Sequence, residues 1–209
     1  IENKIKANLN DTAISNKINI IAVSKTFKMD KILPLIQHGH IDYGENKVQE
    51  AIDKWTDIKK NNSKIKLHMI GRLQTNKVKN AVRLFDYIHS VDSLKLAKKI
   101  SEEELKTNKK IKIFVQVNIG HEKQKSGAIK NEVNDLVEYC LELNLNLIGL
   151  MCIPPLDEDV TSYFKEMKKL NGSFGFSELS MGMSSDYLKA VENSATYLRI
   201  GSNIFGSRS

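Results

Sequence analysis

Ile18-Asn19-Ile20-Ile21-Ala22-Val23-Ser24-Lys25-Thr26 contains the unit from which the whole chain is built. Its apolar, β-branched part (18–23) is short and stops on three polar residues. That predicts a buried strand ending at a polar rim. Residues 29–36 follow at once with helical spacing. The same pair recurs along the chain. Ile41-Asp42-Tyr43-Gly44 reads as a second strand, and 47–58 places Val48, Ala51, Ile52 and Trp55 at helical intervals. A third strand at 67–71 precedes a helix at 76–84. A fourth at 87–91 precedes a helix that Ser93 caps and that runs to about residue 105. The pairs 111–117 with 129–143, 147–153 with 160–170, and 179–183 with 186–191 continue the series. An eighth strand at 197–200 ends it, with 202–209 as a terminal turn. Residues 1–9 read as a leading helix packed outside.

Eight strand–helix units place the chain in the α/β class with a parallel sheet. Their number predicts a single (β/α)8 TIM barrel using residues 1–209 as one domain, at the small end of that class. A doubly wound open sheet satisfies the same pattern, because strand order is not written in the sequence. Hydrophobic residues at 41% and charged residues at 27% suit a globular chain and exclude disordered and fibrous classes. The net charge of +7 raises a nucleic-acid reading. Its lysines are spread along the chain without interleaved aromatic residues, so they read as solvated surface and predict no nucleic-acid partner. Cys140 and Cys152 have neither CxxC spacing nor clustered histidines, which predicts no disulfide, no metal site and a reducing, cytoplasmic setting. No apolar run approaches the roughly 20 residues that span a membrane. The chain opens on Ile1, so its true N-terminus is expected upstream, and no interface motif argues against a monomer.

Barrel active sites lie at the C-terminal ends of the strands. Lys25, Glu45 with Asn46, Arg72, Asn118, Ser180 with Ser184, and Arg199 with Gly201 and Ser202 stand there. Lys25 follows an apolar run, and a lysine held against apolar walls has a lowered amine pKa and can form a Schiff base. The plain alternative is a lysine pointing into solvent. Ser180-Met181-Gly182-Met183-Ser184 and Arg199-Ile200-Gly201-Ser202 put glycine N–H groups and hydroxyls where barrels hold phosphate, or else form ordinary tight turns. In a closed barrel the first and eighth strands are neighbours. A phosphate anchor beside a lysine amine is what pyridoxal 5'-phosphate (PLP) requires.

Further segments extend the pattern. They are Ala22-Val23-Ser24-Lys25-Thr26, Tyr43-Gly44-Glu45-Asn46, His68-Met69-Ile70-Gly71, Leu73-Gln74-Thr75-Asn76-Lys77, His89-Ser90-Val91-Asp92, Gln116-Val117-Asn118, Lys125-Ser126-Gly127 and Gly149-Leu150-Met151. Leu179-Ser180-Met181-Gly182-Met183-Ser184 and Arg199-Ile200-Gly201-Ser202-Asn203-Ile204-Phe205-Gly206 complete them. In these segments the chain resembles the pyridoxal-phosphate homeostasis protein family, which is similar in fold to the N-terminal barrel of alanine racemase. The resemblance implies that Lys25 carries the cofactor as a Schiff base. It implies that Ser180, Gly201 and Ser202 hold the phosphate, that Arg199 faces the pyridine nitrogen and that Asn46 lines the pocket. His68, Met69 and Ile70 would contribute wall. Arg72 stands where proline is frequent in the family, Ser194 where glycine is, and Ser202 where threonine is usual.

The implied function is PLP binding in vitamin B6 homeostasis, cofactor delivery to PLP-requiring apo-enzymes and amino-acid balance, without catalysis. The alternative is a small amino-acid racemase. That route needs a second acid/base group opposite Lys25, supplied in racemases by a tyrosine from another domain, whereas the barrel occupies all of 1–209. Tyr43 is the tyrosine nearest in barrel order. Glu45 is expected to pair with a lysine or cap a helix, His68 and His89 to be satisfied core or pocket histidines, and Trp55 to be core.

Overall fold

In the computed structural model, which describes residues 1–9, 17–120, 122, 126–155 and 158–207, eight parallel strands close into a barrel in sequence order. The leading helix α1 (Glu2–Leu9) precedes β1 (Asn19–Val23). Then come α2 (Met29–Gln37), β2 (Asp42–Glu45), α3 (Val48–Asn61), β3 (Lys66–Met69), α4 (Val78–Leu84), β4 (Tyr87–Val91) and α5 (Leu94–Thr107). The second half is β5 (Lys112–Val117), α6 (Val133–Glu142), β6 (Asn146–Cys152), α7 (Val160–Ser173), β7 (Glu178–Met183), α8 (Tyr187–Glu192), β8 (Tyr197–Ile200) and the short α9 (Ser202–Phe205). Closure is made by β1 against β8, from Asn19 opposite Tyr197 to Ala22 opposite Ile200. That pairing decides for the barrel over the open sheet. The predicted turn after the last strand is instead the helical turn α9.

Alternation along the strands sorts side chains between lumen and outer layer. On β8, Leu198 and Ile200 join the outer core between sheet and helices, while Tyr197 packs inside with Ile21, Tyr87, Phe114 and Met151. The helices turn apolar stripes onto the outer face. Phe85, Ile100, Val137 and Phe164 are fully or almost fully buried there, as is Trp55. Ser93 caps α5 as its sequence implies, its hydroxyl accepting from the Leu96 N–H. The α1 helix lies outside the barrel, burying Ile5 and reaching α8 through an Asn8 to Glu192 hydrogen bond of 3.1 Å. Among the described residues, no helix is long and apolar enough to cross a membrane.

Two backbone positions constrain the sequence sharply. Gly149 sits where β6 passes β7 so closely that a Cβ would fall 1.8 Å from the Glu178 carbonyl oxygen. Ser194, just before β8, has φ +68°. That left-handed conformation favours glycine and costs other L-residues about 1 kcal/mol. The side chain is exposed. Ser194→Gly is therefore expected to stabilise the fold by about 0.5 kcal/mol after glycine's entropic cost is deducted. A lower urea midpoint for the variant would contradict this.

Candidate functional site

At the C-terminal ends of the strands, a cleft of about 530 Å³ opens between the ends of β1, β7 and β8. Lys25, Arg199, Gly201 and Ser202 line it together with Ser184 and Asn203. Val23, Phe27, Ile70 and Ile153 supply apolar wall.

Lys25 is half-buried and follows directly on β1. The residues on both sides of it are tied down. The Ser24 hydroxyl donates to Glu45 Oε1 at 2.7 Å, and the Ser24 carbonyl accepts from Lys54 Nζ at 3.0 Å. The Thr26 N–H donates to Glu50 Oε1 at 2.7 Å. Lys54 Nζ also meets Glu45 Oε1 and Glu50 Oε1, both at 3.0 Å. Burial pushes the Glu50 carboxyl up, but the Thr26 N–H and the Lys54 ammonium outweigh it and hold the group below the usual range. Glu45 is fully buried and also accepts from Trp55 Nε1 at 2.9 Å. It therefore pairs with a lysine, as its sequence position suggested. Trp55 is core with its one polar atom satisfied.

Arg199 rises from β8 into the floor of the cleft. Its Nη1 donates to Ser180 Oγ at 2.7 Å and its Nη2 to the Cys152 carbonyl at 2.8 Å. Burial lowers its pKa, opposed by Cys152 and Asp186, yet a guanidinium keeps its charge. Burial raises the Cys152 thiol to about 12, so this sulfur stays protonated. At the rim, Ser184 Oγ accepts from the Gly201 N–H at 3.2 Å, and Asn203 Nδ2 donates to the Ser184 carbonyl at 3.0 Å. Asn46 flanks the end of β2. Gly71 packs onto it so tightly that a Cβ there would lie 2.5 Å from the Asn46 carbonyl oxygen. The Asn46 Oδ1 atom is buried without a hydrogen-bond partner among the described residues.

Residues 2–209 match the alanine racemase N-terminal domain family. The pyridoxal phosphate homeostasis protein of Aquifex aeolicus is 38% identical over 203 residues, covering 92% of this chain and 88% of the relative. The chain belongs to that family. A solved structure of PipY from Synechococcus elongatus with PLP bound is 30% identical and superposes with a TM-score of 0.85, covering 97% of this chain and all of PipY. An alanine racemase from Clostridium difficile shares the fold at 18% identity and a TM-score of 0.70, with 57% of its length covered.

Within this homeostasis-protein barrel, four of the six residues that the resemblance assigned to the cofactor share the cleft: Lys25, Arg199, Gly201 and Ser202. Ser180 lies apart from these four. It is fully buried beneath Arg199, accepting from it and meeting His89 Nδ1 at 2.9 Å, and it does not line the cleft. The β7–β8 register shifts between Ser180 and Met183, and the chain passes Gly182 at φ +93°. Ser184 therefore reaches the rim while Ser180 faces the lumen. Asn46 lies beside the cleft, not in its lining. Of the expected wall, Ile70 lines the cleft, His68 is in the lumen and Met69 in the outer core. Lys125 lies outside the described residues. Tyr43 is fully buried against Trp55, its hydroxyl donating to the His40 carbonyl at 3.1 Å. Among the described residues, no tyrosine lines the cleft.

Proposed function

We propose that this chain binds pyridoxal 5'-phosphate in the cleft and serves vitamin B6 homeostasis as a holder of the cofactor rather than as a catalyst. The observation that carries this reading is a lysine and an arginine lining one cleft together with two serines of its rim, Ser184 and Ser202. The donor set fits the group. Lys25 is the amine for the aldehyde carbon. The Ser184 and Ser202 hydroxyls suit a phosphate, and the Gly201 and Asn203 N–H groups hold Ser184 Oγ in place at the rim. The unpartnered Asn46 Oδ1 leaves one acceptor for a donor arriving beside the cleft. When bound, such a cofactor supplies an electrophilic aldehyde and an electron-withdrawing ring. Arg199 can only donate, so it favours an unprotonated ring nitrogen, the weaker electron sink. Racemisation needs an acid/base partner opposite Lys25, and among the described residues the cleft lining offers no tyrosine for that task.

Titration with pyridoxal 5'-phosphate and with pyridoxal tests the reading. The phosphate ester is expected to give a saturable visible absorbance. Pyridoxal is expected to bind about 100-fold more weakly, because two charge-assisted hydrogen bonds are lost. Equal affinities, or no saturable binding, would refute the site. Robust Lys25-dependent racemisation of L-alanine by the loaded protein would replace the holder with an enzyme.

A further inference from the structure

Five polar side chains from five strands form one continuous hydrogen-bonded chain through the barrel lumen. Asp42 Oδ1 on β2 meets His68 Nε2 on β3 at 3.0 Å. His68 Nδ1 meets His89 Nε2 on β4 at 3.0 Å. His89 Nδ1 meets Ser180 Oγ on β7 at 2.9 Å, and Arg199 Nη1 donates to the same oxygen at 2.7 Å. The two imidazoles and Ser180 are fully buried. The rings are stacked on Tyr87 and Phe114, with centroids 4.2 and 4.4 Å apart.

The two ends are chemically one-way. A guanidinium only donates, and an ionised carboxylate only accepts. Burial pushes the Asp42 carboxyl up, but the His68 hydrogen bond and nearby positive groups hold it below the usual range. His68 must then donate through Nε2. A neutral imidazole has one donor and one acceptor, so His68 Nδ1 accepts and His89 donates through Nε2. His89 Nδ1 is left to accept, and the Ser180 hydroxyl hydrogen points at it. Burial opposes the cationic form of both rings, most strongly at His89, where His68 and Arg199 add to it. A charged His68 would reverse the upper half of the chain.

We propose that Arg199–Ser180–His89–His68–Asp42 is a one-way positioning relay: Asp42 fixes both imidazoles as Nε2–H tautomers and thereby presents Ser180 to Arg199 as a pure acceptor. His68 and His89 are positioning residues that never touch the cleft. Asp42 opens onto a separate hollow of about 310 Å³ lined by Lys6, Asn19 and His40, at the N-terminal ends of the strands. The relay thus joins the two ends of the barrel. It rests on the proposed function only for the task given to Arg199.

The test uses cofactor-free protein labelled with 15N-histidine, so failure of cofactor binding would leave its readouts intact. Long-range 1H–15N spectra, assigned with His68→Gln and His89→Phe, are expected to give two neutral Nε2–H rings. Asp42→Asn keeps an accepting oxygen and is expected to preserve both tautomers. Asp42→Leu removes it and is expected to give a tautomer mixture. An Nδ1–H or cationic ring in the unmodified protein overturns the relay, as do locked tautomers in Asp42→Leu. Should that variant not fold, the unmodified protein and Asp42→Asn still decide. In His89→Phe, hydrogen exchange of the Arg199 guanidinium is expected to accelerate about tenfold. An unchanged rate overturns the positioning role.

Discussion

Lys25→Ala is expected to abolish borohydride-trapped cofactor completely while leaving the fold intact. The Lys25 side chain is half-buried against a cleft, not packed in the core, so its truncation leaves no internal cavity. The loop that carries it is held by Ser24 and Thr26, whose contacts do not involve the Lys25 amine. Binding that depends on a covalent bond does not weaken gradually when the amine is removed. The adduct disappears, leaving only what the phosphate rim and Arg199 hold by themselves. Peptide mass spectrometry after reduction reads the outcome. In this lysine-rich chain, reduction at another lysine is the main competing result. The same stoichiometric adduct on a different residue would sink the assignment of Lys25. Lys25→Arg is the sharper control, since it keeps the positive charge but cannot condense with the aldehyde. It is expected to bind reversibly and to lose all label on reduction.

How much of this was legible in the sequence depended on how far apart the partners lie. The strands were readable because each is a short apolar run with a helical period behind it; 87–91 and 197–200 match their observed limits. Barrel closure was not, because Asn19 pairs with Tyr197 through backbone groups that carry no residue signature. The Lys25–Arg199 neighbourhood followed from closure once it was granted. Ser180 and Ser184 are both serines of one motif, and only the irregular register of β7 against β8 decides which reaches the rim. His68 and His89 were legible as satisfied histidines, but not as members of one chain, since that chain spans five strands. The Lys54 clamp was missed for a similar reason. The residue reads as one more polar position on α3, and nothing local marks its ammonium as buried.

That clamp carries the second large expectation. Lys54→Met is expected to lower stability by about 3 kcal/mol, or about 9 °C in Tm for a chain of this size. Lys54 is 10% exposed and Glu45 is fully buried, so loss of the ammonium strands a carboxylate away from water. Glu45 Oε2 has no partner among the described residues, which leaves only Ser24 and Trp55 to stabilise the charge. The loop then has strain to release. Thr26 is β-branched and sits at φ +68°, a conformation that costs about 1–3 kcal/mol and persists only under external contacts. Lys54 supplies one of those contacts directly, through the Ser24 carbonyl, and steadies another through Glu50. Stability and positioning can be separated. Adding Glu45→Gln to Lys54→Met removes the stranded charge while keeping an acceptor for Ser24 and Trp55, so about 2 kcal/mol should return. The Ser24 carbonyl is unheld in both variants, so trapping at Lys25 is expected to be slow in Lys54→Met and to stay slow in the double variant. A Lys54→Met cost below about 1 kcal/mol would mean that the pair is screened like a surface ion pair. Full recovery of both stability and trapping rate would mean that Lys54 only neutralises Glu45 and does not hold the lysine loop in place.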